Sequence, residues 1–399
     1  MRTINKTSIR NLTILLGSTM TVLAGALLAP ALPDMAEAFR DVPNAEFLVR
    51  LTLTMPALFI AIGAPFAGIL LDRIGRKPVI AASLVLYGIS GTSGFFADSL
   101  LVILIGRAFL GLSVAGLMTG FTTLIVDYFK GARLNQFLGY QGAFIGLGGV
   151  VYLLLAGLLA DIGWRFPFLI HLAAFLVLPG LLFAIDEPAR AKASTDSANQ
   201  KATFPLRPFI IIYSIAFISM AIFFVIPLQI PFYLTAEGGA ANSQVGIALA
   251  AQALAAVFTA LLFHRIRARL SFQSISAFVI LSLGINYIII STSPSYGIVL
   301  VGLLIGGLGL GVLPPNLGAW VASTAPSSMR GRAIGGFTLF LFVGQFFTPI
   351  FSQPLITQLG FSGGFRVMGI FSILLTITIL GLVGYKRFTS RKPSQVQGT

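Results

Sequence analysis

The sequence predicts an all-α membrane protein, with twelve transmembrane helices in two pseudo-symmetric six-helix bundles. Three observations lead to this fold class: the composition, the number of long apolar runs, and a weak repeat between the two halves. Of the 399 residues, 56% are hydrophobic and only 10% are charged, whereas a soluble domain typically has about 25% charged residues. Such a chain cannot cover a water-exposed surface with polar groups, so its surroundings are lipid.

Twelve apolar runs are each long enough to cross a bilayer, which takes about 20 residues in a helix. They lie near residues 11–33, 47–70, 79–97, 100–126, 136–160, 167–185, 208–234, 244–263, 273–292, 296–322, 332–358 and 364–385. The even number places both termini on the same side of the membrane.

The distribution of Lys and Arg indicates which side that is. If the N-terminus is cytoplasmic, 21 of the 26 basic residues fall on the cytoplasmic side and 4 on the outer side. Basic loops stay in the cytoplasm, so we expect a multi-pass protein of the cell (inner) membrane with both termini cytoplasmic. The polar segment 186–207 predicts a flexible cytoplasmic linker between one bundle over 1–185 and a second over 208–399.

The halves repeat each other weakly. The stretch "VILIGRAFLGL" matches "IVLVGLLIGGL", and the match places Gly106 on Gly302 and Gly111 on Gly307, both 196 residues apart. A constant offset indicates duplication, and two parallel six-span repeats are typical of secondary transporters.

Several function classes are excluded by what the sequence lacks. It has no cysteine, so it has no disulfides and no thiol nucleophile. Its two histidines, His171 and His264, are too far apart for a metal-ligand pattern, and it has no phosphate-binding loop of the ATPase type. The net charge of +14 is explained by cytoplasmic loops rather than by nucleic acid. We expect no enzyme activity, no cofactor and no metal.

The connection between spans two and three, "GILLDRIGRKPVI", concentrates charge in an otherwise apolar region. Gly75 is expected to supply the tight turn, and Gly68 to let a neighbouring helix approach closely. A carboxylate here can also lie at the N-terminus of a helix, where the macrodipole favours it. Four charged side chains fall within six positions: Asp72, Arg73, Arg76 and Lys77.

This stretch closely resembles the loop 2–3 motif of the major facilitator superfamily, G-x-L-x-D-R-x-G-R-R/K, and matches it at every defined position. Span four adds "RAFLG", beginning at Arg107, which is similar to that superfamily's R-x-x-x-G element, and "GWRFPFLI" resembles its usual sequence at span six. The resemblance covers nearly the whole chain. It is strongest to the twelve-span drug/proton antiporters of bacteria.

The resemblance implies transport by alternating access, in which one half rocks against the other about a central cavity. It implies that Asp72 contacts span eleven when the cavity opens outward, and that Arg76 pairs with Asp127 at the end of span four. The alternative is that these charges only set topology. In the second half the aligned stretch "ALLFHRIRAR" places His264 at the position of Asp72, so the second motif has decayed.

Two departures weaken the antiport interpretation. The span-five pattern G-x-x-x-G-P-x-x-G-G of such antiporters is reduced here to Gly148 and Gly157, with Tyr152-Leu153 in place of the central Gly-Pro. In addition, every carboxylate lies in a loop or near the end of a span, whereas proton coupling usually uses an intramembrane acid. Asp34, at the outer end of span one, is the nearest candidate, and the alternative is a solvated helix end.

Arg107 is the one charge well inside a predicted span, where an arginine costs about 3 kcal/mol or more. The functional interpretation is a cavity-facing charge that responds to a proton or substrate, and the alternative is a side chain that extends to the membrane surface. The position 196 residues later is Leu303, so this charge belongs to one half only.

In the resembled fold, spans one, four, seven and ten line the cavity. An aromatic and Met-rich lining suits lipophilic substrates of varied shape, although any one of these side chains could instead face lipid or pack between helices. The candidates are Met118, Tyr213, Phe217, Met220, Phe224, Gln229, Asn316 and Trp320.

We therefore expect a monomeric secondary transporter whose partners are protons, a small-molecule substrate and the lipid bilayer, but not nucleic acid. The first hypothesis is proton-coupled efflux of amphiphilic small molecules. The alternative is an exporter or facilitator of a defined metabolite, such as a sugar, nucleoside or siderophore, without proton antiport. A sensor or scaffold without transport is disfavoured by the complete loop motif.

Overall fold

The computed structural model describes residues 6–188, 206–326 and 329–389, and every regular element in those ranges is helical. Most of the predicted linker, residues 189–205, lies outside the described residues. Two short 3-10 helices, Ala29–Ala31 and Phe166–Leu172, accompany thirteen α-helices. These are α1 (Lys6–Ala26), α2 (Leu32–Ala38), α3 (Ala45–Arg73), α4 (Arg76–Phe96), α5 (Leu100–Tyr128), α6 (Gly131–Ile162), α7 (Ala173–Ala184), α8 (Leu206–Ala236), α9 (Asn242–Arg269), α10 (Phe272–Ile290), α11 (Tyr296–Leu310), α12 (Leu313–Thr324) and α13 (Arg330–Thr389).

The twelve predicted spans are confirmed. Eleven helical runs in the described ranges are long and apolar enough to cross a membrane, and the last of them is Gly331–Val383. That run holds two spans, because Gly360 has a non-helical backbone (φ 71°, ψ 172°) that interrupts α13. Spans one and ten each consist of two helical pieces, α1 with α2 and α11 with α12. In both, the second piece has a proline in its first turn, where the missing N–H costs nothing.

The predicted repeat reappears in the way the helices pack. At two glycines of the first half an added Cβ would meet a carbonyl oxygen of a neighbouring helix, and both contacts recur 196 residues later at the same distances. The contacts are Gly106 on Ser90 and Gly302 on Asn286, each at 3.1 Å, and Gly111 on Pro56 and Gly307 on Gln252, each at 2.4 Å. Small residues at matching depths thus let the helices of both bundles cross closely.

The two ends of the molecule differ in how the halves meet. We call the end that holds the α3–α4 turn the motif end, and the opposite end, where α3 and α9 begin, the far end. One buried cluster joins the halves at the far end, with Leu32 and Leu53 packed among Ile226 and Leu234. Near the motif end the first half has a separate core of its own, around Phe121.

The halves also approach closely near the far end, where α6 crosses α9. An added Cβ at Gly157 would lie 3.0 Å from the Cα atom of Gly246, so the two backbones are in contact. Gly157 is one of the two glycines retained from the span-five pattern. A side chain at Gly157 would require these two helices to move apart.

Candidate functional site

The α3–α4 turn has the backbone geometry that its sequence predicts. Gly75 stands between the two helices with φ 119° and ψ 162°, a conformation that residues with a Cβ rarely adopt. An added Cβ at Gly75 would also lie 2.8 Å from Oε1 of Glu187. The expectation for Gly68 is wrong in this conformation, because no atom lies within 4 Å of the position its Cβ would take. Arg73 is the last residue of α3 and is exposed.

The carboxylate at the N-terminus of α4 belongs to Glu187, a residue that the sequence analysis missed. Its Oε1 accepts a hydrogen bond from the backbone N–H of Arg76 at 2.6 Å, and its Oε2 accepts one from that of Lys77 at 2.8 Å. It thereby satisfies two N–H groups that a helix leaves free at its start and places a negative charge at the positive end of the dipole. Lys77 completes this link, because its Nζ donates to the carbonyl of Leu182 at 2.6 Å.

The chain that leaves span six is also tied to the start of α1. Nζ of Lys6 donates to both carboxylate oxygens of Asp186, at 2.9 and 3.0 Å. This hydrogen bond and the positive charge lower the pKa of the Asp186 carboxyl. Asp186 and Glu187 therefore connect α1, α4 and the beginning of the linker at the motif end. No local sequence pattern indicates this arrangement, because the partners are about 110 to 180 residues apart.

The predicted pair of Arg76 and Asp127 forms in this structure. Nε of Arg76 donates to Oδ2 of Asp127 at 3.0 Å, and the two side chains are 15% and 25% exposed. Arg76 also donates to the carbonyl of Leu71 and lies 3.4 Å from Asp72. The Asp72 side chain is 77% exposed, so its predicted contact with span eleven, which belongs to the opposite conformation, stays a prediction.

Arg107 is buried inside the first bundle, with 1% of its surface exposed. Nε donates to the carbonyl of Thr52 on α3 at 2.8 Å, and Nη2 donates to the carbonyl of Ala24 on α1. The interpretation that this side chain extends to the membrane surface is therefore wrong. Its guanidinium connects α5 to two other helices of its own half.

Both acceptors of Arg107 are carbonyls that have lost their helical donor. Thr52 would normally accept from the N–H of residue 56, but that residue is Pro56, which has none. Ala24 stands near the end of α1, which stops at Ala26, so its carbonyl is one of the four that a helix end leaves free. The arginine thus replaces two missing backbone bonds, and this accounts for a charge at that depth.

One nitrogen of the Arg107 guanidinium lacks a hydrogen-bond partner among the described residues. Nη1 of Arg107 is buried and has no hydrogen-bond partner within the described ranges, and the same holds for Nε2 of the fully buried His171. The His171 ring lies 5.3 Å from that of Tyr87, whose hydroxyl donates to the carbonyl of Met20. Nη1 is the atom of Arg107 that remains available to a water molecule or a substrate group.

Four of the predicted cavity residues pack between helices of the second half instead. The Tyr213 hydroxyl donates to the carbonyl of Ala333, and its ring stacks on Phe340, both on α13. Phe217 contacts Phe347 on the same helix. Asn316 donates to Phe272 and Ser276 on α10, and Trp320 stacks on Phe272 at 5.8 Å. Aromatic spacing along one helix could not show which neighbour it faces.

The seam between the halves is lined mainly by apolar and amide side chains at mid-depth. Phe224 and the amide of Gln345 lie beside Gly25 of span one, so that an added Cβ there would be 3.8 and 3.3 Å away. Met118 and Met220 are half-buried at the margins of the two apolar clusters. Phe224 is thus a predicted cavity residue that lies across the seam from span one at mid-depth.

Polar contacts across the seam lie at the far end. Asp34 accepts a hydrogen bond from Nδ2 of Asn242 at 2.6 Å, and Asp161 accepts one from the backbone N–H of Ser243 at 3.1 Å. Gln229 belongs to this end too, because its Oε1 accepts from the buried Arg50. Gln229 is fully buried in this conformation, so its place in the cavity lining stays a prediction. In the sequence, Arg50 stands on the predicted outer side and belongs to no motif that would indicate a role.

The altered span five is one unbroken helix that is linked to span one. α6 runs over 32 residues and contains no proline. The hydroxyls of Tyr152 and Thr19 are 2.8 Å apart, and an added Cβ at Gly148 would meet the Thr19 side chain at 2.9 Å. Where the antiporter pattern has Gly-Pro, this chain therefore has a hydrogen bond between spans five and one.

Comparison with known families agrees with this architecture. The model of the Major Facilitator Superfamily matches residues 14–238 and 211–398, which together are most of the chain. The chain belongs to the Major Facilitator Superfamily. It is therefore a secondary transporter of the membrane with a small-molecule substrate, and not an enzyme.

Individual relatives are distant. The chain is 27% identical over 300 residues to Multidrug resistance protein 1 of Bacillus subtilis (strain 168), covering 73% of this chain and 76% of the relative. It is 24% identical over 378 residues to the Bacillibactin exporter of the same organism, covering 89% and 93%. A solved D-xylose–proton symporter superposes with a TM-score of 0.79 over 94% of this chain and 97% of that chain, at 14% identity. That last likeness shows the fold alone.

Proposed function

We propose that this transporter exports amphiphilic small molecules across the cell membrane in exchange for protons, by alternating access. The observation that carries the proposal is that the two ends of the seam differ. Among the described residues, the polar contacts between the halves lie at the far end, whereas the side chains of Asp72 and Arg76 at the motif end pair with residues of their own half. A transporter that opens alternately needs two ends that close in turn, and this arrangement supports a state that is closed at the far end.

The lining of the seam supports a lipophilic substrate. At mid-depth it presents Phe224, half-buried methionines and the amide of Gln345, and among the described residues no Asp or Glu is buried. Apolar side chains with a few amides suit neutral or cationic molecules of varied shape. The similarity to a protein named for multidrug resistance supports the same substrate class.

Asp34 is our candidate for proton coupling. Its carboxylate bonds to Asn242 of the other half, so its hydrogen bonding and solvation change whenever the far end opens. A proton carrier needs such a change of environment between states. Arg107 cannot carry the proton, because a guanidinium stays protonated. We assign it the role of holding spans one and two, with Nη1 directed to a water or substrate group.

Further parts of the proposal come from the sequence. The bundles comprise 1–185 and 208–399, joined by the linker 186–207, and both termini are cytoplasmic, so that the far end faces outward. The protein acts as a monomer. In the opposite conformation, Asp72 would contact span eleven and close the motif end.

A second candidate is export of a defined metabolite, such as a siderophore, without proton exchange. Two observations favour it. The similarity to the Bacillibactin exporter covers 89% of this chain, and the Gly-Pro of the span-five pattern is replaced by Tyr152-Leu153, with Tyr152 bonded to Thr19.

The two candidates separate in one assay. The chain is expressed in a strain that lacks its own exporters, and growth is screened against lipophilic cations, dyes and siderophores. For a compound to which the chain confers resistance, transport is then measured in inside-out vesicles with and without an imposed pH gradient. Transport driven by the gradient supports the antiporter, whereas transport that ignores the gradient favours the second candidate.

A further inference from the structure

A second buried arginine lies at the far end, on the seam between the halves. Arg50 is in the second turn of α3 and is 1% exposed. Removing a guanidinium from water costs several kcal/mol unless its charge and hydrogen bonds are compensated. The partners of Arg50 therefore determine in which conformations this residue is stable.

One partner belongs to the same helix. Nη1 of Arg50 donates to the backbone carbonyl and to Oε2 of Glu46, each at 3.1 Å. Because the two residues are one helical turn apart, this pair moves as a unit with α3. It compensates the charge of Arg50 whether or not the halves are in contact.

The other partners belong to the second half. Nε of Arg50 donates to Oε1 of Gln229 at 3.1 Å, and the guanidinium carbon lies 3.9 Å from the centre of the Phe232 ring. Gln353 on α13 donates from Nε2 to Oε2 of Glu46 at 3.1 Å. These contacts join α3 to α8 and α13. Of these residues, Glu46, Arg50, Phe232 and Gln353 line a cavity of about 350 Å³.

We propose that Arg50 is the positioning residue that holds the far end closed, and that opening this end transfers Arg50 from a shared set of partners to Glu46 alone. Only contacts that differ between two conformations shift their equilibrium. The bond to Gln229, the stacking on Phe232 and the bond from Gln353 to Glu46 are lost on opening, whereas the Glu46 pair is retained. The inference rests on alternating access as proposed above, but not on the substrate or on protons.

The geometry requires an arginine at this position. Nε and Nη1 are fixed in one plane and reach an acceptor in each half at the same time. A lysine has a single flexible ammonium and would keep the charge pair with Glu46 while losing the bond to Gln229. Arg50→Lys therefore separates the contact across the seam from the charge itself.

The test measures the conformation directly. The chain has no cysteine, so spin labels can be attached at introduced pairs without removing native thiols. Asp41→Cys with Thr292→Cys reports on the far end, and Asn135→Cys with Ala268→Cys reports on the motif end. Distances within each pair are measured by double electron–electron resonance in lipid nanodiscs without substrate, at one pH.

The variants are Arg50→Lys, Arg50→Met and Gln353→Ala. Arg40→Met is the matched control, because Arg40 is an exposed far-end arginine paired with Glu37 of its own half. We expect the ratio of far-end-open to far-end-closed molecules to rise about fivefold in each variant, as for the loss of one hydrogen bond, with the opposite change at the motif end. The control should match the unsubstituted chain.

Two results would overturn the proposal. One is distance distributions in all three variants that match the control. The other is a shift in Arg50→Met alone, which would mean that the contacts across the seam contribute nothing. If Arg50→Met fails to fold, Gln353→Ala and Arg50→Lys still test the proposal, since both keep a positive charge beside Glu46. If the variants shift the far-end distances as expected but the unsubstituted protein exports none of the compounds tested, the role of Arg50 stands and only the proposed function is refuted.

Discussion

The two halves of the molecule pack alike at one depth but use different chemistry there. In each half, a glycine of the fourth span lies against a carbonyl of the second span, Gly111 on Pro56 and Gly307 on Gln252. In the first half Pro56 leaves a carbonyl without a donor, and Arg107 supplies one. In the second half, residue 252 has an N–H, and Leu303 stands at the equivalent position and is fully buried.

This difference shows that the proline and the arginine belong together. A proline inside a buried helix exposes an acceptor that must be satisfied, and a buried arginine needs acceptors in return. At the equivalent positions the second half has Gln252 and Leu303, so neither the free acceptor nor the charge arises there. The charge of Arg107 is therefore explained by the two backbone carbonyls to which it donates, although the repeat has a leucine at the equivalent position.

The largest effect is expected when the first half is made like the second at this position. Arg107→Leu leaves the carbonyls of Thr52 and Ala24 buried without donors, which costs about 1–3 kcal/mol for each group. We expect a loss of about 2 kcal/mol or more in the free energy of unfolding, measured by denaturation in detergent, and no accumulation of substrate in inside-out vesicles.

Two companion variants test the reason for that loss. Arg107→Ala should also abolish transport, and Arg107→Lys should retain little, because one ammonium does not replace a planar fork. Full transport in Arg107→Ala would mean that the two carbonyls do not need the arginine.

The close crossings should be equally sensitive in both halves. Gly111→Ala and Gly307→Ala each place a Cβ 2.4 Å from a backbone oxygen, so the helices must move apart. We expect each to destabilise the protein by about 1–3 kcal/mol. Gly68→Ala is the matched control, because its Cβ would meet no atom within 4 Å. If only one of the two crossings were sensitive, the halves would not share this packing. Melting temperatures of the three variants give the answer.

Pro56→Ala should partly rescue Arg107→Leu. The alanine restores an N–H that can bond to the Thr52 carbonyl within α3, so that one of the two free acceptors is satisfied. We expect the double variant to be more stable than Arg107→Leu alone by about 1 kcal/mol. Strictly additive effects in the double-mutant cycle would mean that the proline and the arginine do not act on the same carbonyl.

The pair at the motif end has no counterpart in the second half, where Ala268 aligns with Arg76. We expect Arg76→Ala and Asp127→Ala each to reduce transport about fivefold, since each leaves a partly buried charge without its partner. Exchanging the two charges should restore part of the activity. Transport into inside-out vesicles is measured for the single, double and exchanged variants as a double-mutant cycle. If the effects of the two single substitutions simply add, the 3.0 Å contact has no functional role.

The smallest effect on stability is expected for Asp72→Asn. Its ion pair with Arg76 is mostly exposed, and such pairs contribute about 0–1 kcal/mol. We expect nearly unchanged melting but impaired transport, because the carboxylate acts in the opposite conformation. His264, the aligned residue of the second half, serves for comparison, and His264→Asn should transport normally. Normal transport by Asp72→Asn would mean that the charges of this motif only set the topology of the chain.

Much of this protein was predictable from its sequence because the signals are local. Twelve spans follow from runs of apolar residues, the turn at Gly75 from a glycine between charges, and the repeat from glycines 196 residues apart. Arg76 and Asp127 were paired correctly, but only because the motif resembles that of a known family.

What the sequence by itself determined is the membrane fold, the duplication and the turn at the motif end, because apolar length, glycine spacing and backbone freedom are properties of short segments. The tertiary structure decided which distant groups meet: Glu187 on the start of α4, Arg107 on two unsatisfied carbonyls, and Arg50 against Gln229. An apolar helix is almost equally hydrophobic on all sides, so its pattern does not show which face meets a neighbour. Its few polar groups are paired only when the whole bundle has assembled.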